Sequence, residues 1–397
     1  MRIVIAAGGT GGHLYPAVAL AREFLRQDRA TEVLFVGTAR GIESKVLPHE
    51  GFALQMIAAR PVMGRGWRQA VLACLSLPVA VRQAVAILRA RRADLVIGVG
   101  GYSSPPVILA AWLLRIRRVL LEPNASPGLA NKATGPLADL VFLSYGAAAG
   151  SFSSAKVRVT GMPIRREFYE EATRAGGDAE TRGRGDTTAL LHPPVAASPR
   201  RTDRPVYRLL VFGGSQGAHA INQAMVEALP HVQAMKDRLA IVHQTGESDC
   251  ASVRAAYVAA GLEAEVTPFI YDMPKALRSA DLVVSRAGAI TLAELSACGK
   301  PAILVPLPTA IYQHQEKNAL VMEQAGAAVL LRQSELTGTS LANQIAALLS
   351  DAGRLRSMGE RSAALGRPDA SETIVEMCRK LLKEDYGTNQ PLGATRS

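Results

Sequence analysis

The stretch IVIAAGGTGGH, residues 3–13, runs on into LYPAVALAREFLRQ up to residue 27 and decides the fold. A short apolar run enters a glycine-rich turn, and a stretch with apolar residues at helical spacing leaves it. Glycines let the backbone approach an anion, Pro16 suits a first helical turn, and a helix N-terminus adds a field favourable to phosphate. The same order recurs in the second half, where YRLLVF (207–212) runs into GGSQGAH (213–219) and another helical stretch. This internal echo predicts tandem α/β domains with ligand sites at corresponding strand ends.

Further apolar runs fall into place on either side. VLFVG (33–37), LVIGVG (95–100), VLLE (119–122) and LVFLS (140–144) read as buried strands of the first unit. LAIVH (239–243), AEVTPF (264–269), DLVVS (281–285), PAILVP (301–306) and AAVLL (327–331) follow in the second. Helical patterns alternate with them, which is the signature of βαβ units and parallel sheets. Residues 170–205, rich in Gly, Pro, Arg, Thr and Asp and without periodicity, read as an interdomain insertion, and residues 385–397 as a frayed tail.

At 397 residues with 48% hydrophobic and 20% charged content, the chain is long enough for two or three domains, and bulk disorder is excluded. Cys74, Cys250, Cys298 and Cys378 are far apart and lack metal-ligand spacing, so reduced thiols are expected rather than a disulfide framework or a zinc site. The apolar run at residues 3–7 is too short for a signal-peptide core, so no export is expected. Residues 1–163 carry 19 Lys and Arg against 8 Asp and Glu, which is the entire surplus of +11. An anionic partner of the first half follows: nucleic acid, a phosphate-bearing substrate or a membrane surface.

Three glycine turns at strand ends, GGTGGH, GVGGYSS (98–104) and GGSQGA, suggest a cleft that binds phosphates from both sides. The first turn is not GxGxxG, and the ribose-binding acid of a dinucleotide site is missing after the second strand. His13, just behind the first turn, has a reference pKa suited to accepting a hydroxyl proton, although a lone histidine is more often structural. Glu294, one turn into the helix of RAGAITLAELSACGKP (286–301), can accept bonds from two sugar hydroxyls or simply complement the helix dipole. No D-x-D occurs, so no divalent cation is expected on a diphosphate, and helix ends with Arg165 would carry that task.

Residues 62–92 form a helical pattern with Trp67, Val71, Leu72, Leu75, Leu77, Val81 and Val85, fringed by Arg60, Arg65, Arg68, Arg82, Arg89, Arg91 and Arg92. There is no acid from 60 to 92. The segment reads either as an interfacial helix on anionic lipid or as a core helix with a solvated basic edge. Trp112 either joins that patch or fills a core position.

Eight motifs in this order resemble the MurG family of bacterial peptidoglycan N-acetylglucosaminyltransferases, which act on lipid I. They are GGTGGHLYPAVALA, GVGGYSSPP, EPNASPGLANK, TGMPIR, GGSQGAHAIN, FIYDM, SRAGAITLAEL and HQEKNA. The resemblance covers the chain outside 170–205 and the tail, and it implies a GT-B fold of two Rossmann-like parallel-sheet domains facing across a cleft. The implied units are an acceptor and membrane-side domain (1–163), a linker with its insertion (164–206), a UDP-N-acetylglucosamine domain (207–368) and a final helix returning to the first domain (369–397). By motif, Ser215 would contact the donor diphosphate. Ile270 with Ala289, Ile290 and Thr291 would frame the uracil, Leu292 and Ala293 would belong to the same substrate-binding run, Glu294 would bind the ribose hydroxyls and Gln315 the sugar. Thr10, Gly11, Gly12, Asn124 and Arg165 would complete the site, with His13 as the base.

The activity so implied is inverting transfer to the muramoyl C4 hydroxyl of lipid I, giving β-1,4-linked lipid II. It needs no metal, cofactor or nucleic acid, and the enzyme would sit peripherally on the cytoplasmic face of the inner membrane, held by anionic lipid. Two departures stand out: Leu121-Glu122-Pro123-Asn124 replaces HEQN, and Gly161-Met162-Pro163-Ile164-Arg165 replaces GNP(V/I)R. The neighbouring alternatives are a related enzyme with another sugar donor or a diacylglycerol acceptor, and a nucleotide-sugar epimerase. Few aromatics and no recognition motif speak against nucleic-acid binding.

Overall fold

The computed structural model describes residues 1–9, 11–39, 41–60, 67–169, 206–214, 216–310 and 313–388, with side chains at 67–75 and 385–388 left aside. The insertion at 170–205 and the tail beyond 388 lie outside the described residues.

The first sheet has seven parallel strands: β1 (Arg2–Ala7), β2 (Glu32–Gly37), β3 (Ala53–Met56), β4 (Leu95–Gly100), β5 (Arg117–Glu122), β6 (Leu140–Leu143) and β7 (Val157–Val159). Their order is β3-β2-β1-β4-β5-β6-β7, with Ile3 in register with Val33 on one side and Leu95 on the other. The second sheet holds β8 (Tyr207–Phe212), β9 (Leu239–Gln244), β10 (Ala264–Thr267), β11 (Leu282–Ser285), β12 (Ala302–Leu304) and β13 (Ala328–Leu330), ordered β10-β9-β8-β11-β12-β13 and again all parallel. Each sheet therefore reverses direction beside its first strand, at β1/β4 and at β8/β11. Ligands of open α/β sheets settle in that crevice, at the strand C-termini.

The central strands are buried on both faces, as parallel strands covered by helices must be. Helix α1 (Gly11–Gln27) seals one face of the first sheet with Leu14, Ala17, Val18, Ala21 and Phe24, spaced at three and four residues. The short strands β3 and β7 escape a reading of apolar runs because each lies at a sheet edge with partly exposed side chains. Edge strands are not forced to be apolar on both faces.

Helix α2 (Glu43–His49) follows β2, and α3 (Trp67–Arg91) packs beside α4 (Ser104–Leu113) on the other face. Ala80, Ala84 and Leu88 of α3 are buried, Val81 and Val85 pack against that core, and Leu77 and Val79 are exposed with Arg82, Arg89 and Arg91. The described half of α3 is thus a core helix with a basic edge. Arg65 lies outside the described residues, as do the side chains of Trp67, Arg68, Val71, Leu72 and Leu75.

The remaining helices are α5 (Leu129–Thr134), α6 (His219–Val232), α7 (Cys250–Ala259), α8 (Met273–Ser279), α9 (Ala289–Ala297), α10 (His314–Gln324), α11 (Gly338–Ser350), α12 (Ala352–Ala364) and α13 (Ala370–Thr388). Ile374, Val375 and Cys378 of α13 are buried in the core of the first sheet, so the C-terminal helix crosses back to it. Met162, Ile164 and Phe168 are buried in the core of the second sheet. Both crossings tie the two bodies together. Cys250, Cys298 and Cys378 are free thiols.

Candidate active site

The strand ends of the two sheets meet across the cleft, and the loops there are shaped by glycine. Gly101, at φ +73, lies so close to the Gly8 carbonyl that a Cβ would strike it, which interlocks the β1–α1 and β4–α4 turns. In the second body Gly217, at φ +76, abuts the Thr245 carbonyl and likewise interlocks the turns after β8 and β9.

Beside that second turn opens a cavity of about 600 Å³, lined by Gly213, Gly217, Arg286, Thr291, Gln315 and Gln333 among others. The α9 N-terminus borders it through Gly288 and Thr291, a setting favourable to phosphate. Arg286 donates to the carbonyls of Val305 and Pro306 at 3.1 and 3.3 Å, and although burial lowers its pKa it remains a cation. The Gln315 side-chain carbonyl accepts from the Leu307 amide at 2.9 Å, which orients the side chain at the cavity wall. The Gln333 side-chain oxygen is buried and has no partner among the described residues.

Glu294 occupies α9 one turn further in. Burial pushes its pKa up to about 7, against the opposing pull of Arg165 from the interdomain segment. Among the described residues no hydrogen-bond donor reaches its carboxylate. A desolvated carboxylate of this kind is ready to accept from ligand hydroxyls. Arg165 itself is steadied by stacking 5.3 Å from the Phe168 ring centre.

Across the cleft His13, the third residue of α1, is half-buried beside Gly100. A Cβ on Gly100 would fall 2.9 Å from the imidazole, and Gly100 has φ +107, so only glycine leaves room for the ring. Burial, and then the proximity of His314 on α10, lowers the His13 pKa to about 4. His13 therefore stays neutral across physiological pH, the state a proton acceptor needs.

The bodies are joined beside this site. Asn318 of α10 is fully buried, and its side chain accepts from the Ala125 amide at 2.8 Å while donating to Asn124 Oδ1 at 3.2 Å and to the Ala287 carbonyl at 3.3 Å. Glu122 organises the same first-body loop, accepting from the amides of Asn124 and Gly128 and from the side chain of Asn131. Where the loop departs from HEQN it is thus still tied by its glutamate, whose pKa burial raises.

Of the residues expected at the site, His13, Asn124, Arg165, Thr291, Glu294 and Gln315 gather around the cleft. Gly11 and Gly12 begin α1, and Ile270 is half-buried after β10. Ile290 and Ala293 are half-buried on α9, whereas Ala289 and Leu292 are buried in the core and can offer a ligand only backbone. Thr10 and Ser215 lie outside the described residues. Sequence reading missed Arg286, Gln333 and Asn318. Arg286 immediately follows a buried strand and Asn318 falls within the HQEKNA motif, signals that could have found them, whereas Gln333 has no local signal.

Two Rossmann-type bodies, a cavity at one switch point and a neutral histidine at the start of the first body's leading helix suit a nucleotide-sugar-dependent glycosyltransferase. Residues 3–143 match the glycosyltransferase family 28 N-terminal domain and residues 208–374 the family 28 C-terminal domain. The chain belongs to glycosyltransferase family 28. It is 45% identical over 383 residues to the UDP-N-acetylglucosamine--N-acetylmuramyl-(pentapeptide) pyrophosphoryl-undecaprenol N-acetylglucosamine transferase of Syntrophus aciditrophicus, covering 96% of this chain and 99% of that one. It is 42% identical to the enzyme of the same name from Myxococcus xanthus, over 98% and 95% of the two chains. The crystal structure of Acinetobacter baumannii MurG superposes with a TM-score of 0.74 at 28% identity, over 96% of this chain and 99% of that one. A Neisseria meningitidis UDP-GlcNAc 2-epimerase shares the fold, with a TM-score of 0.63 at 14% identity.

Proposed function

We propose that this chain transfers N-acetylglucosamine from UDP-N-acetylglucosamine to the muramoyl C4 hydroxyl of lipid I, with inversion, forming β-1,4-linked lipid II. The observation that carries the reading is the pairing of the desolvated Glu294, one turn into the helix whose N-terminus borders the cavity, with the neutral His13 on the first body. The near full-length likeness to transferases of that name supports the substrates.

Glu294 accepts from the ribose hydroxyls, while the amides of the turn at 213–218 and the α9 N-terminus receive the diphosphate. Gln315 holds the sugar. The acceptor hydroxyl oxygen bonds to the anomeric carbon as its proton passes to His13, and the bond from that carbon to the β-phosphate oxygen breaks, leaving its electron pair on UDP. Arg286, Arg165 and the helix ends balance the departing charge. Two bound diphosphates also raise the His13 pKa from about 4 toward the working range, because anions beside an imidazole favour its protonated form. Tight docking of the bodies excludes water that would hydrolyse the donor.

The test is transfer of radiolabelled N-acetylglucosamine to a short-chain lipid I analogue in the presence of a chelator. Transfer is expected; release of free sugar or of a 2-epimer without acceptor would remove the reading.

With lipid I as acceptor, we set the first body against the membrane leaflet that presents it, the cytoplasmic one. No helix among the described residues is long and apolar enough to cross a membrane. Leu77 and Val79 of α3 and Trp112 and Leu113 of α4 are between 40% and 55% exposed on adjacent helices. Helix α3 also exposes Arg82, Arg89 and Arg91, and Trp112 and Leu113 share a surface pocket with Arg115, Arg117, Arg118 and Arg379 as well as Asp28, Asp94 and Asp139. Apolar side chains rimmed by cations suit an anionic interface, and they extend the basic segment at 60–92 that contains Trp67. Cosedimentation with phosphatidylglycerol vesicles is expected, weakening at high salt, and little with phosphatidylcholine. Replacing Trp112 and Leu113 together by serine is expected to weaken partitioning roughly tenfold or more; unchanged partitioning would rule out this face.

A further inference from the structure

The first body contains a buried carboxylate that the transfer chemistry does not use. Glu43, the first residue of α2, is fully buried, and among the described residues no cation pairs with it. Its carboxylate accepts from the Gly9 amide at 3.0 Å, from the Thr38 amide at 2.8 Å and from Thr38 Oγ1 at 3.1 Å. A Cβ at Gly8, Gly37 or Gly41 would run into the Glu43 side chain, so three glycines clear its seat. Thr38 Oγ1 lies 3.0 Å from the Tyr102 hydroxyl, and the Tyr102 ring covers Gly9, where a Cβ would meet it at 3.1 Å. Gly9 has φ +93. Glu43 therefore ties the loop that leaves β1 to the loop that leaves β2, and Thr38 links this pair through Tyr102 to the loop that leaves β4.

A buried carboxylate is costly unless hydrogen-bonded, and here donors from two loops converge on one acceptor side chain. By engaging the Gly9 amide, Glu43 sets the direction of the peptide that opens the GGTGGH turn, and His13 follows four residues later on α1. In the second body the matching loops pack backbone to backbone at Gly217 and Thr245, and the crevice beside them is the open donor cavity. In the first body the chain's own anion fills the crevice between the ends of β1 and β2.

We infer that Glu43 is a positioning residue for the acceptor side, holding the first glycine turn and through it the His13 ring in the geometry that receives the lipid-linked diphosphate and its hydroxyl. This rests on the proposed transfer reaction. It predicts that loss of the carboxylate penalises the acceptor and spares the donor.

The experiment uses the full chain with UDP-N-acetylglucosamine and a lipid I analogue. Glu43→Gln keeps the size of the side chain but turns an NH₂ toward backbone donors. Its kcat/KM for the acceptor is expected to fall roughly 10- to 100-fold, as a misplaced catalytic group does. UDP affinity by calorimetry and KM for the donor should stay within about twofold, because the second body is untouched. Should Glu43→Gln fail to fold, Thr38→Val, which removes one of the three donors, is read the same way, with a smaller loss in the same parameter. Acceptor kcat/KM within about threefold of wild type would overturn the inference, and so would donor affinity falling in parallel, since that marks general structural damage. Failure of the wild type to transfer at all would instead remove the reaction, which separates the two outcomes.

Discussion

Glu294→Ala is expected to weaken UDP-N-acetylglucosamine binding by roughly two to three orders of magnitude, because two hydroxyl bonds to a charged acceptor contribute about 3–5 kcal/mol together. The loss should appear in donor affinity and donor kcat/KM, whereas kcat at saturating donor should change less. A pH dependence accompanies it. The ribose hydroxyls donate, so the ionised form of Glu294 binds, and burial holds its pKa at about 7 in the free protein. Donor kcat/KM should therefore be flat above pH 7 and fall roughly tenfold per unit below it, as one required deprotonation dictates. Glu294→Gln should abolish that acid limb while binding weakly at every pH. UDP calorimetry across pH 5 to 9 measures both effects; affinity within about threefold of wild type for the alanine variant would remove Glu294 from the site.

His13→Ala should lower kcat by about 10²- to 10⁴-fold, the usual contribution of a positioned general base, with donor affinity preserved. The free-protein pKa of about 4 leaves the imidazole neutral at working pH, and bound diphosphates raise it. The acid limb of kcat at saturating substrates should accordingly lie between pH 4 and 6.5 and vanish in the variant. A loss of less than about tenfold would move the base elsewhere. Stability carries the same sign. A histidine whose folded pKa lies below its unfolded value contributes its full share above pH 6.5, and that share is lost as pH falls from there toward 4. The wild type should thus lose an increment of acid stability that His13→Ala does not.

Much of this was legible locally. The runs at 3–7, 95–100 and 209–212 had to be central strands, since unbroken apolar segments that run into glycine turns are stable only when covered on both faces. Glu294 and Gln315 stand out in the sequence through their motifs, and the structure places Gln315 at the cavity wall and Glu294 on the helix that borders it. The shallow edge strands β3 and β7 were not, because their few residues alternate too little for periodicity to register.

The sequence by itself determined two parallel α/β units, a basic first half, and glycine turns at the strand ends that point to phosphate. These follow from propensity and hydrophobic spacing, which act over a few residues. Only the tertiary structure decided that Glu43 closes the first crevice while the second stays open, and that Asn318 joins Asn124 and Ala125 to the donor body. Each of these depends on groups brought together from distant or separate loops. The pKa values of His13 and Glu294 belong to the same class, because desolvation is a property of the surrounding packing and of the facing domain rather than of neighbours along the chain.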